Sequence, residues 1–499
     1  MSEASGEMVW LVLLVGVAIV LSILSKSGLR RLGVPALIGS IVLGFLLRLC
    51  DARWELLSES GYTTFRLLAD LGLIALLFRV GLESNLPGLI SQIGPAARTW
   101  IGNVGISGLL GFVTAYWLLD LGTIASLVIA TALTATSVGV SVAVWQEAGA
   151  LDTSTGQWLI DVAELDDVSG VLLMAVLFAL LPAMTGSAPP AEVSQESMHL
   201  DTLVFPVFLA AAILLFGSLI FRELRRPMGR WFRTDERLPE PMLRIAAVAI
   251  GVAALAALFG VAMVALFNLL PAGPRDGFPI ATLLKTLGRF AFLFALFLGF
   301  CYVFTRRLEE RMTRWFRQLE PMPDPMLLVV GVGFVIAALA GFMGFSIAIG
   351  AFFAGLVFSR DPEMVQIDAS FSSLYDLFSP FFFIGIGLSI DPSALLSALG
   401  PGTFLLVAAV VGKVAGTAVP ALLSTDWRTS LLLGIGMVPR AEIAMVIVER
   451  GRAMGSDVVP PEVFSAMVLV VLGTCLIAPL SLRPLLRQWL RPKVQGDFS

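Results

Sequence analysis

Residues 156–182 read GQWLIDVAELDDVSGVLLMAVLFALLP, an apolar run of membrane-crossing length with four acids in its first half: Asp161, Glu164, Asp166 and Asp167. An ionisable group at membrane depth costs at least ~2.5–3.5 kcal/mol on insertion scales, so such residues are kept for function. Asp166 and Asp167 are adjacent. Two like charges this close resist ionising together, which separates their proton affinities. The pair is suited to holding a proton in one state and a cation in another.

The rest of the chain supplies the membrane. Of 499 residues, 57% are hydrophobic and 14% charged, and the mean hydropathy is +0.90. This composition is that of an integral membrane protein. A net charge of -4 gives nucleic acid no electrostatic footing. Cys50, Cys301 and Cys475 have no metal or redox spacing, and His199 is the single histidine, so zinc and histidine chemistry are excluded. No cofactor is called for. The first apolar run, 8–25, has no basic leader and reads as a span rather than a signal peptide.

Hydropathy divides residues 8–485 into about fifteen spans of the length a bilayer requires. The runs 326–343 and 345–359 are separated by a break marked by Gly341, Gly344 and Gly350. Lys26, Arg30 and Arg31 follow the first span; Arg222, Arg225, Arg226, Arg230, Arg233 and Arg237 the seventh; Arg306, Arg307, Arg311, Arg314 and Arg317 the ninth. Arg483, Arg487, Arg491 and Lys493 close the chain. Alternating spans put all of these on one face, which the positive-inside rule makes cytoplasmic, giving an N-out, C-in topology. Residues 486–499 are then a short cytoplasmic tail.

One internal repeat is visible. Arg230-Trp-Phe-Arg233, Pro241-Met-Leu243 and Ala254–Gly260 match Arg314-Trp-Phe-Arg317, Pro325-Met-Leu327 and Ala338–Gly344 without gaps. The spacing predicts a tandem copy over 222–305, a cytoplasmic loop with two extra helices.

Polar groups that lipid does not tolerate recur in three further places. Thr131, Thr134, Thr136, Ser137, Gly139 and Ser141 interrupt one apolar run, and Gly434, Gly436, Pro439, Arg440 and Glu442 interrupt another near the end. Broken helices at membrane depth line cavities and present half-helix ends to ions, and a pair in corresponding halves of a chain points to an inverted-repeat binding site. The third place is Lys413, mid-span in a chain with only three other lysines, Lys26, Lys285 and Lys493. Unlike arginine, a buried lysine can give up its proton. Asp166 and Asp167, helped by Thr136 and Ser137 oxygens, form a hard-cation site. Lys413 is the expected salt-bridge partner of Asp166 when no ion is bound. Glu442 and Arg440 are expected to compensate half-helix ends.

The ordered segments ALTATSVGV (132–140), AELDDVSGV (163–171), FFFIGIGLSIDPSAL (381–395), VGKVAGT (411–417) and GMVPRAEIAMVIVERG (436–451) resemble the monovalent cation:proton antiporter-2 family. LADLGLIALLFRVGLES (68–84) and GAFFAGLVFSRD (350–361) are also similar. The resemblance covers nearly the whole chain outside 222–305. It implies an all-α polytopic inverted-repeat antiporter fold with crossed discontinuous helices, a single transporter domain over 1–499, core ion-binding helices in 98–182 and 401–451, and a dimerisation region that makes a homodimer. It further implies exchange of Na+ or K+ for protons across the cell's inner (plasma) membrane as a multi-pass protein, electrogenic for an Asp-Asp pair. Asp167 is then the ion and proton carrier, Asp166 its partner, Lys413 the basic partner and Glu442 the compensating charge. Three departures stand out: two spans beyond the family's usual thirteen or so, Arg79 in place of an apolar residue, and no nucleotide-binding domain after Arg491. Regulation of that last kind, where it exists, is expected on a separate subunit. The alternatives are an organic-anion/sodium symporter of the same fold and a transporter-derived sensor or channel.

Overall fold

A computed structural model describes residues 3–31, 35–83, 93–151, 153–185, 280–304, 325–359 and 364–489. The apolar runs at 203–222 and 243–270, both arginine-rich loops of the repeat, His199 and the tail beyond residue 489 lie outside the described residues.

All regular structure among the described residues is helical: α1 (Glu3–Arg31), α2 (Ala36–Trp54), α3 (Glu59–Glu83), α4 (Ile93–Val113), α5 (Thr123–Thr134), α6 (Val138–Glu147), α7 (Ser154–Thr185), α8 (Ile280–Val303), α9 (Pro325–Phe342), α10 (Ile347–Phe358), α11 (Met364–Leu388), α12 (Leu395–Ala421), α13 (Trp427–Gly436), α14 (Glu442–Ala453) and α15 (Pro461–Trp489). Each predicted run that falls on described residues coincides with one helix, except the two expected to break, which form the pairs α5/α6 and α13/α14. The stretches Glu7–Leu29, Arg98–Leu118, Thr123–Glu147, Leu395–Ala421 and Pro461–Trp489 are long and apolar enough to cross a membrane by length and composition. On α1, Met8, Val12, Leu13, Ile23 and Leu24 are all more than half exposed, a surface suited to lipid and not to water.

The helix ends have local causes. Asp426 caps α13, its carboxylate accepting from the backbone N–H of Arg428 (2.9 Å) and Thr429 (3.2 Å). Ser346 caps α10 through the N–H of Ala348. The predicted break before α10 is present, and Gly344 takes φ +85° there, a conformation that disfavours any residue with a Cβ.

The described residues fall into two compact units. Leu77–Glu83 and Ala175–Ser370 make the smaller one. Within it Phe290, Phe294 and Phe297 of α8 pack edge-on against Phe345 and Phe353, and Gly350 of α10 lies against Ala337 and Ala340 of α9. The larger unit holds Met1–Leu76, Ser84–Met174 and Phe371–Ser499. There, small residues let helix backbones meet, as in lipid where close packing replaces hydrophobic driving force. A Cβ on Gly44 of α2 would stand 2.1 Å from the carbonyl oxygen of Ile384 in α11. A Cβ on Gly416 of α12 would stand 2.8 Å from the carbonyl oxygen of Gly102 in α4, and one on Gly412 3.0 Å from the Cα of Ser107. Gly412 and Gly416 form a GxxxG step that seats α4 directly on α12. Gly434 of α13 meets Val414 of α12. These contacts hold α4, α12 and α13 together, and Asn103 of α4 and Lys413 of α12 reach Asp166 in the middle of α7.

Candidate functional site

Both broken helices lie in the larger unit, and their breaks meet. Residues 135–137 separate α5 from α6 in extended conformation, and residues 437–441 separate α13 from α14. The Ser137 N–H donates to the carbonyl of Pro439 at 2.7 Å, and the Ser141 hydroxyl to that of Gly436. Each break thus satisfies backbone groups that the other leaves open, which is the condition for non-helical backbone away from water. A Cβ on Gly170 of α7 would already stand in van der Waals contact with Ile443 and Ala135 at the crossing.

Asp166 projects from α7 into this crossing and has no exposed surface. Its Oδ2 accepts from the Thr136 hydroxyl and, at 2.9 Å, from Lys413 Nζ. Its Oδ1 accepts from Asn103 Nδ2 of α4, also at 2.9 Å. Lys413, equally buried, makes the expected ion pair with Asp166 and also donates to the carbonyl of Thr134. A buried carboxylate and ammonium tolerate loss of water only when paired and hydrogen-bonded in this way.

Arg440 is buried too. Its guanidinium donates to the Leu133 carbonyl through Nε (3.2 Å) and Nη2 (2.7 Å), and to the Val438 carbonyl at 3.2 Å. The last carbonyls of α5, at Leu133 and Thr134, therefore face two cations, Arg440 and Lys413, where the helix carries its partial negative charge. The backbone of Arg440 is held in turn by Thr474 and Cys475 of α15. Glu442 opens α14 in its first turn, where a negative charge suits the helix dipole.

Of the residues singled out from sequence, Asp166, Thr136, Lys413 and Arg440 converge through side chains, and Ser137 through its backbone. Asp167, one residue on, is half-buried and within electrostatic reach of Lys413. The sequence reading passed over Asn103, Thr417 and the Trp100–Ser169 pair. Thr417 donates to Asn103 Oδ1 at 3.3 Å. Trp100 Nε1 donates to Ser169, whose hydroxyl bonds the Asp166 carbonyl, both at 3.0 Å. The missed signal was an amide, Asn103, in the middle of an apolar span. Among the described residues no three His, Cys, Asp or Glu side chains gather as a resident metal site.

A family model described as "Sodium/hydrogen exchanger, transmembrane" matches residues 16–265 and 243–488. The chain is 25% identical over 463 residues to a Na(+)/H(+) antiporter of Enterococcus hirae, covering 91% of this chain and 92% of that one. It is 24% identical to the high-affinity Na(+)/H(+) antiporter NhaS3 of Synechocystis (86% and 71% covered) and 22% identical to the Na(+)/H(+)-K(+) antiporter GerN of Bacillus cereus (90% and 89% covered). Among solved structures, the sodium proton antiporter MjNhaP1 of Methanocaldococcus jannaschii superposes with a TM-score of 0.54 over 97% of this chain and 99% of that one, at 15% identity, which speaks for the fold. This chain belongs to the transmembrane sodium/hydrogen exchanger family, a family of transporters and not of enzymes.

Proposed function

We propose that the protein is a secondary active antiporter that exchanges a monovalent cation, Na+ or K+, for protons by alternating access. The observation that carries this reading is the buried Asp166–Lys413 pair at the crossing of two broken helices. An ion pair with no exposed surface can be opened and remade by a competing cation and by protons, which is the chemistry of coupled exchange. A channel has no use for a lysine that closes the site, and an organic-anion symporter calls for a wider polar cavity there.

In this scheme Asp167, half-buried and beside the pair, carries the ion and the proton. Asp166 is its partner, and Thr136 and Ser137 lend oxygens to a dehydrated cation. Lys413 occupies Asp166 in the ion-free state and leaves it when the cation enters. Arg440 and Glu442 hold the crossed half-helices. With two acids and one lysine in the site, more than one proton moves per cation and exchange is electrogenic. About fifteen spans in N-out, C-in orientation, one transporter domain over the chain, a homodimer in the plasma membrane and a helix pair over 222–305 outside the ion path complete the proposal.

The test is exchange by the purified chain in proteoliposomes carrying a ΔpH dye, screened over lithium, sodium, potassium and rubidium, with protein-free liposomes as the reference. Dissipation of ΔpH by at least one of these cations is the expected result. No response to any of them across pH 6 to 9 would overturn the reading.

A further inference from the structure

Asp166 is held from two sides by one helix. Directly, α12 supplies Lys413 to Oδ2. Indirectly, one turn further along α12, Thr417 donates to Asn103 Oδ1, and Asn103 Nδ2 donates to Asp166 Oδ1. Neither Asn103 nor Thr417 has exposed surface. The Gly102–Gly416 contact brings the two backbones close enough for these short side chains to reach each other. An ionised carboxylate only accepts hydrogen bonds, so the amide must turn its NH2 toward Asp166, and the Thr417 hydroxyl secures that orientation from the carbonyl side.

We propose that Asn103, oriented by Thr417, is a positioning residue that keeps Asp166 from closing fully onto Lys413 and thereby sets the apparent affinity for the transported cation. This rests on the antiporter reading above. The ammonium of Lys413 has three N–H donors, of which the bonds to Thr134 and Asp166 use two. While Asn103 occupies Oδ1, the lysine engages one carboxylate oxygen. Without Asn103, Oδ1 is a buried anionic acceptor lacking its donor, and Lys413, already bonded to Oδ2 of the same carboxylate, has a third N–H to offer it. The two-oxygen contact favours the lysine-closed state, so a cation must compete harder. Arg440, from the break between α13 and α14, also interacts electrostatically with Asp166, and Asp167 of α7 with Lys413; α4 contributes Asn103 and the α5/α6 break Thr136. Neither Arg440 nor Asp167 is altered by the substitutions below.

A hydrogen bond to a charged group is stronger than one between neutral groups, and losing one is enough to shift an equilibrium about tenfold. Asn103→Leu is therefore expected to raise KM for the cation about tenfold while Vmax changes less than about threefold. Thr417→Val, which removes only the hydroxyl, should give a smaller rise, Thr417→Ser should restore the wild-type value, and Thr417→Val should add nothing in the Asn103→Leu background. The experiment is initial-rate exchange by full-length protein in proteoliposomes at fixed pH against sodium or potassium concentration, with size-exclusion profiles to establish folding. Unchanged KM with reduced Vmax, a Thr417→Ser variant that behaves like Thr417→Val, or additive KM effects would overturn the proposal. Loss of folding in Thr417→Val as well would make the pair structural and overturn it too. A wild-type protein that exchanges no monovalent cation would instead sink the antiporter reading, so the two failures are distinct.

Discussion

Replacing Lys413 by glutamine removes one charge from a site with no exposed surface. At the 2.9 Å separation of Lys413 Nζ and Asp166 Oδ2, the gross attraction at an effective dielectric of about 20 is roughly 6 kcal/mol. Breaking a buried pair from one side typically costs ~3–5 kcal/mol. Detergent-solubilised Lys413→Gln should therefore unfold at lower temperature than the wild type. The transport consequence is sharper. If the Lys413 proton leaves when the cation binds, each cycle of the wild type moves one net charge. Such a charge gains about 2.3 kcal/mol per 100 mV, which shifts the equilibrium cation gradient about fiftyfold. Without that proton the cycle becomes electroneutral, and the shift vanishes. Proteoliposomes with a valinomycin-clamped potential read this directly, with sodium as the driving ion. A folded Lys413→Gln variant whose cation gradient still responds to voltage as the wild type does would refute proton carriage by Lys413 and leave it a structural role.

Asp167→Asn should abolish ΔpH-linked cation movement in a protein that still elutes as a folded species; full activity there would end the assigned role, and Asp166→Asn should shift cation affinity or stoichiometry instead. Gly416→Val places a branched side chain against the Gly102 carbonyl, where overpacking costs ~1–3 kcal/mol, and should lower both thermal stability and transport; a stable, active variant would mean that α4 and α12 are not pressed together. Asp426→Ala should cost about 1 kcal/mol through loss of the α13 cap. The hydrogen bonds from the Thr429 hydroxyl and backbone hold the Asp426 carboxyl below its usual range, so its contribution is complete above the ordinary carboxylate value and fades as pH falls through the lowered one. The wild-type advantage over Asp426→Ala in thermal unfolding should thus be full at neutral pH and shrink only on strong acidification; an advantage that grows toward low pH would contradict the capping role.

Much of the site was readable because the bilayer makes some residues conspicuous. A lysine or an acid pair inside an apolar run has to be explained, and Asp166 and Lys413 do meet. The two interruptions were readable from Pro439 and from the run of hydroxyls around Thr136, although the first break falls at residues 135–137, ahead of Gly139. Helix ends were less readable. The apolar run 8–25 belongs to a helix extending over Glu3–Arg31, because polar residues continue a helix where hydropathy has already dropped. Asn103 was missed for a related reason. An uncharged amide hardly lowers the hydropathy of its span, and only the packing of α4 on α12 gives it a carboxylate to face.

Which of the two adjacent aspartates faces Lys413 was also decided by packing, yet the pattern that decides it is written along α7. Neighbours on a helix point about 100° apart, so Asp166 and Asp167 belong to different faces. Leu159, Val162, Ala163, Ser169 and Leu173 are all at most 3% exposed, and they share the i±3, i±4, i±7 stripe of Asp166. On the corresponding stripe of Asp167, Ile160 and Glu164 are half-buried whereas Ala163, Gly170, Val171 and Met174 are buried, so its partial exposure lies toward the N-terminal side of α7. The buried stripe carries Ala163, Ser169 and Gly170 close to Asp166, small residues that leave room for the crossing of the broken helices; a bulky residue at Gly170 would meet Ala135 and Ile443. Asp166 is therefore the acid that the fold encloses and neutralises with Lys413, while Asp167 keeps partial access. The enclosed Asp166 accepts from three donors, Thr136, Lys413 and Asn103. That difference in enclosure follows from one turn of helix geometry applied to two neighbouring, chemically identical side chains.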